Sequence, residues 1–175
     1  MKYTNNKFIL KQRPNGMPSR DCWDYVSETI ESIENNEIII ENQYLSIDPY
    51  MRGRMNEGKS YAPPVQIGEI MTGETIGVVI ESKSKIFNVG DKVCAHQGWQ
   101  AYTKCKDSEL SLIKVPDSNL PLSLFLGTLG MPGRTAYFGL NRVGKPKRNE
   151  TVGVVIESKS KIFNVGDKVC AHQGW

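Results

Sequence analysis

The stretch Tyr44–Met55, YLSIDPYMRGRM, gathers the side chains of this sequence best suited to chemistry on a small ligand. It starts as the end of a strand, breaks at Asp48-Pro49, and then presents Tyr50, Met51 and Arg52 ahead of Gly53. Pro49 fixes its own φ and biases Asp48 away from helical geometry, so a bend is expected there. The bend delivers a phenol, a thioether and a guanidinium to one place, a set suited to gripping a flat, polar, phosphate-bearing ligand. The alternative is a plain strand-to-loop corner with a solvated arginine.

Other chemistry has less to work with. His96 and His172 are the only histidines. Cys94-Ala95-His96 would share one face of a strand, yet it offers two ligands where tetrahedral zinc takes three or four. A buried cysteine beside an edge histidine is the simpler reading. Cys105, between Lys104 and Lys106, is reactive only if exposed, and no GxSxG elbow accompanies it. Asp21 and Asp24 sit among polar loop residues and read as solvated.

The elements that must position these residues are mostly short strands. Lys7–Gln12 has strand character and ends at the turn Arg13-Pro14-Asn15-Gly16. Tyr25–Ile33 alternates, Glu37–Ser46 is a strong strand, and Thr75–Ser82 is a β-branched one. Lys92–His96, Gln100–Lys104 and Ser111–Val115 follow the same pattern, with Asn56–Gly68 as a loop through Pro63-Pro64. Leu122–Leu129 predicts a buried helix that Met131-Pro132-Gly133 breaks, and Thr135–Asn141 predicts a second. Many short strands separated by glycine, proline and asparagine turns imply a β-barrel rather than a βαβ array. The expected class is mainly β with short helices.

Composition narrows the function classes. The chain has 175 residues, 39% hydrophobic and 23% charged, with Gly 16 and Pro 9, which suits a turn-rich globular protein. A net charge of +3 asks for neither nucleic acid nor an anionic membrane. Arg142, Lys145, Lys147 and Arg148 form a local basic run, read as a solvated connector. No apolar run reaches spanning length and no signal-like region follows Met1, so cytoplasm is the expected setting. Four cysteines without CxxC spacing argue against a disulfide framework.

YLSIDPYMRGRM closely resembles a signature of the zinc-independent medium-chain dehydrogenase/reductases, in the prostaglandin reductase, leukotriene dehydrogenase and alkenal double-bond reductase group. LGTLGMPGRTAYFGL, Leu126–Leu140, resembles the same group independently, and the likeness runs to about residue 148. The resemblance implies a GroES-like β-barrel and an NADPH-dependent reaction. In it, hydride passes to the β-carbon of an α,β-unsaturated carbonyl and a proton to the α-carbon. Charge gathers on the carbonyl oxygen, so a donor aimed at that oxygen is required. By position in the motifs, Tyr50 is the expected hydroxyl donor, and Met51, Arg52, Met131 and Thr135 border the cofactor. Tyr61, Trp99 and Tyr102 are expected as substrate walls. Zinc-binding relatives carry Gly-His-Glu where this chain has Thr72-Gly73-Glu74, so no metal is expected. Arg134 stands at a position commonly apolar in the group.

The segment Glu74–Trp99 returns as Glu150–Trp175, changed only where Ile76 becomes Val152. Two near-identical copies in unrelated context do not fit a diverged repeat array. In the resembling group the stretch like Gly144–Val152 opens a Rossmann domain with a glycine-rich phosphate loop. Here it continues as the earlier strand, and no GxGxxG pattern appears; Gly127, Gly130 and Gly133 lack that spacing. The expected organisation is a barrel with linking helices over 1–141, a basic connector over 142–149, and the copy over 150–175. A Rossmann domain is expected to be absent, NADPH binding weak, and turnover by this chain small or nil. The copy is expected to pack poorly, or to compete for the first copy's place in a strand-swapped homodimer. The competing function class is a non-catalytic barrel acting in oligomerisation or protein interaction.

Overall fold

The computed structural model describes residues 2–58 and 60–145, together with the pairs 153–154 and 168–169. β1 (Tyr3–Leu10) and β2 (Trp23–Ile30) form an antiparallel pair in register from Tyr3↔Ile30 to Leu10↔Trp23. A second sheet holds β3 (Glu37–Leu45), β4 (Thr75–Ser82), β5 (Lys92–Ala95), β6 (Tyr102–Lys106) and β7 (Ile113–Lys114), in the order β6-β3-β4-β5-β7. All its pairings are antiparallel. Bridges Lys7↔Gln100 and Ile9↔Ile70 tie the pair to the larger sheet, giving the GroES-like barrel expected.

The isoleucine run of β3 explains its central place. Ile38, Ile39 and Ile40 are each 0% exposed. Ile38 and Ile40 pack with Val79, Val93 and Ala95, whereas Ile39 packs with Ile30 and Ile33. Successive strand residues face opposite sides, so an uninterrupted apolar run suits a strand covered on both faces. At Gly77 a Cβ would sit 2.1 Å from the Glu41 carbonyl oxygen, where β3 bulges between Asn42 and Tyr44. Only glycine lets β4 approach that closely.

The helical predictions need correction. Leu122–Leu126 is a 3-10 segment, not a longer buried helix; Leu126 is buried, whereas Leu129 is 44% exposed. The residues expected to break a helix instead begin one: α2 spans Met131–Phe138. Pro132 falls in the first turn, where its missing N–H would have had no intrahelical partner. A π-helical segment, Gly139–Gly144, follows and ends at Lys145 with φ 44.

Compactness divides the chain into Met1–Gly130 and Met131–Trp175, which groups α2 with the C-terminal unit. In that unit β8 (Gly153–Val154) pairs antiparallel with β9 (Lys168–Val169). The expected basic connector is described only as far as Lys145, and the packing expected of the copy falls, apart from these four residues, outside the described residues. Among the described residues no helix is long and apolar enough to cross a membrane.

Candidate functional site

Asp48-Pro49 turns the chain as expected, but the residues after it coil into a five-residue helix, α1, Tyr50–Arg54. Helical spacing redistributes the side chains of the motif. Met51 and Met55, four apart, point into the core with Leu10, Cys22, Val65 and Met71. Arg52 turns aside to the loop before β2: its Nε and Nη2 donate to the Gly16 carbonyl at 3.1 and 2.7 Å, and Nη1 to Asn56 Oδ1 at 2.5 Å. Tyr50 and Arg54, also four apart, share the remaining face.

Tyr50 carries the site's clearest chemical signal. Its hydroxyl is buried and has no hydrogen-bond partner among the described residues. Burial, with the carboxylates of Asp48 and Glu74 adding to it, pushes the phenol pKa up to about 12. The group is therefore held as a protonated donor. Its ring stacks on His96, with centroids 6.2 Å apart and planes at 27°. His96 Nε2 lies 2.9 Å from Thr72 Oγ1 and shares a hydrogen bond with it. Burial, then the Arg54 charge, lower the His96 pKa against the opposing pull of Asp48, which favours neutral imidazole. Arg54 Nε is buried without a partner among the described residues. A cavity of about 390 Å³ lies on the His96 side, with Arg54, Thr72, His96 and Gln97 among its lining residues and Tyr50 behind them rather than in the lining, a size that suits a small ligand.

The other expected residues fall into three groups. Trp99 packs on the same cluster as Tyr50, stacks on Trp23 at 5.0 Å, and leaves its buried Nε1 without a partner among the described residues. Tyr61 is 85% exposed, yet near enough to add to the upward shift of Tyr50. Tyr102 packs with Tyr3, Ile30 and Ile39, donating to Glu41 Oε1 at 3.3 Å, so it is not brought together with Tyr50. Met131 and Thr135 are neighbours on α2, where Thr135 Oγ1 approaches Met131 Sδ at 3.8 Å.

Residues 6–113 match a family described as the N-terminal domain of oxidoreductase. The chain belongs to that family. Its place there is with the zinc-independent medium-chain dehydrogenase/reductases. It is 39% identical over 153 residues to the NADPH-dependent curcumin reductase of Escherichia coli, covering 87% of this chain and 44% of that protein. It is 38% identical over 156 residues to the NADP-dependent 2-alkenal reductase of Nicotiana tabacum, covering 86% and 45%. The structure of CurA from Vibrio vulnificus in complex with NADPH superposes with a TM-score of 0.76 at 39% identity, over 83% of this chain and 43% of that one. The chain thus spans less than half the length of the relatives it matches.

Within this oxidoreductase N-terminal domain, Gly73 sits against the side chains of Leu45 and Trp99. A Cβ on Gly73 would lie 2.8 Å from Leu45 Cδ1 and 3.0 Å from the Trp99 ring. Cys94 packs with Ile76, Val115 and Leu126, whereas His96 lies past the end of β5 beside Thr72. Among the described residues no group of three or more His, Cys, Asp or Glu could hold a metal. Cys105 is buried, and burial raises its thiol pKa to about 12, which makes it an inert core residue.

Sequence reasoning missed Arg54 and Thr72, and took His96 only as an edge residue. The signal for Arg54 was present: i, i+4 spacing from Tyr50 puts both on one face once the segment is helical. Reading the segment as a turn hid that spacing.

Proposed function

We propose that this chain supplies the carbonyl-polarising wall of an NADPH-dependent reductase that saturates the C=C bond of enones and alkenals. The observation that carries the reading is the Tyr50 hydroxyl: buried, protonated and without a partner among the described residues, on a ring stacked against His96 and within the field of Arg54. A buried donor with nothing to donate to is costly unless a ligand completes it. A carbonyl oxygen is the acceptor that fits.

NADPH, when bound, supplies the hydride that reaches the substrate's β-carbon. The residues of this chain do the rest of the work proposed here. Tyr50 O–H donates to the substrate oxygen and strengthens that bond as negative charge develops there. Arg54 adds a positive field from the same helix face. His96, kept neutral, packs the Tyr50 ring in place. Trp99 and Tyr61 form apolar walls, and Tyr102, in its separate cluster, acts at most through the sheet. Met131 and Thr135 are proposed to border the nicotinamide. Met51 and Arg52 are proposed to act on it through the helix they anchor, because their side chains are engaged elsewhere. The proposed setting is the cytoplasm.

The test is an NMR titration of the chain with a simple aryl enone. Resonances of Tyr50 and His96 are expected to shift, and Tyr50→Phe to abolish the His96 response. Shifts confined to other surfaces, or a response unchanged in Tyr50→Phe, would overturn the assignment. In an enzyme that contains this segment, Tyr50→Phe is expected to lower kcat about 10²–10³-fold, the loss typical of one oxyanion donor.

A further inference from the structure

Arg54 is a cation for which the described residues supply no counterpart. Its guanidinium enters none of their ion pairs, and its Nε is buried without an acceptor among them. The neighbouring arginines differ. Arg13 Nε donates to Glu57 Oε1 at 3.0 Å and its Nη1 to the Met55 carbonyl oxygen at 2.8 Å. Arg52 is held by the Gly16 carbonyl oxygen. Covering a guanidinium costs free energy unless charged or hydrogen-bonding oxygens complete it. What fixes Arg54 is its backbone: the Val65 N–H donates to the Arg54 carbonyl oxygen at 2.8 Å.

The surroundings of Arg54 leave that need open. It lines the cavity of about 390 Å³ with Thr72, His96 and Gln97. Thr72 Oγ1 and His96 Nε2 are engaged with each other at 2.9 Å. Glu69 also lines the cavity, but it is exposed and its Oε2 accepts from the Gln66 N–H at 2.8 Å. Asp48, whose field reaches both Tyr50 and His96, accepts from the Ser46 hydroxyl. The Arg54 charge is itself felt at His96, where it helps hold the imidazole neutral. An uncompensated positive charge therefore borders a space of ligand size. A planar guanidinium matches carboxylate and phosphate oxygens, and such charge-assisted bonds are the strong ones.

We propose that this cavity is an oxyanion subsite, in which the Arg54 guanidinium holds a carboxylate or phosphate group of the ligand. Resting on the reductase reading, the substrate is an enone or alkenal that carries an acidic group. Tyr50 and Arg54 lie one turn apart on α1, roughly 5–6 Å between Cβ atoms. The acidic group and the carbonyl are therefore close together in the ligand, as in a short oxo-acid, rather than at the ends of a long chain. Filling the subsite offsets the positive field on His96, and the imidazole then binds a proton more readily.

The test uses the full chain carrying His172→Gln, which leaves His96 as its only histidine. The probes are benzoylpropionate, butyrophenone, which is the same aryl ketone without the acid, and inorganic phosphate. The His96 ring protons are followed by NMR against pH with each probe. Benzoylpropionate is expected to bind about tenfold or more tightly than butyrophenone and to move the His96 midpoint upward. Arg54→Gln is expected to remove both effects while leaving butyrophenone binding unaffected, and Arg54→Lys to retain part of them. A matching response to phosphate assigns the subsite to oxyanions at large, and a response to benzoylpropionate alone assigns it to carboxylates. Equal affinity for acid and ketone, an unmoved His96 midpoint, or acid binding undiminished in Arg54→Gln would overturn the proposal. The comparison of probes decides even where Arg54→Gln fails to fold. A Tyr50 resonance that ignores both ketones would overturn the reductase reading while an Arg54-dependent response to phosphate leaves the subsite standing.

Discussion

Tyr50 and His96 are set in opposite senses by one local environment, and each gives a pH signature. The Tyr50 phenol is raised from 10.0 to about 12, with burial the leading cause. Its neutral form is the one the folded state prefers, so its contribution to stability is complete below about 10 and is lost as pH rises toward 12. In an absorbance titration of tyrosinate, the last step of the folded protein is expected to disappear in Tyr50→Phe; an unchanged curve would place the raised phenol elsewhere. His96 is lowered below 6.5, first by burial and then by Arg54. The unfolded chain then binds more protons than the folded one just below that pH. Acidification through 6.5 is thus expected to cost stability, and His96→Phe to flatten the dependence of Tm on pH between about 5 and 7.

At the scale of elements, two glycines of the β4–β5 region are required for different reasons, close approach at one and a positive φ at the other. Gly77 has no room for a Cβ, whereas Gly90, at φ +94, has open space around it. Gly77→Ala is expected to cost about 3 kcal/mol through backbone displacement. Gly90→Ala is expected to cost about 1–2 kcal/mol through its dihedral alone. Urea unfolding of the two variants separates these cases, and equal losses would deny the steric account. The helices teach a related lesson. Pro132 reads as a breaker in isolation, but a proline costs nothing in a first turn, and the start of a helix is not visible from the proline alone. The same holds for α1, whose five residues are too few for hydrophobic periodicity to announce them.

For the whole molecule, no glycine-rich phosphate cradle is found among the described residues. The proposal is that this chain by itself binds the cofactor weakly, because enclosure between two walls is what fixes such a ligand. Titration of the 175-residue chain with NADPH, followed by nicotinamide fluorescence, is expected to show no saturation in the micromolar range. Saturation there would show that these residues hold the cofactor unaided.

The amino-acid order alone determined that this is a β-rich domain of the zinc-independent reductase kind, because strand alternation, turn residues and two motifs are local properties. It also located the bend at Asp48-Pro49 and the duplicated segment, both of which are matters of adjacency. That Arg54 is the motif residue lining the cavity was decided only by the tertiary structure. One turn of helix sends Met51 to the core and Arg52 to Gly16, and leaves Tyr50 with Arg54. His96 and Thr72 join them from distant positions in the chain, through sheet pairing that no local pattern encodes. The orphaned hydroxyl that gives the site its chemistry is a fact of packing, and packing exists only once the strands have met.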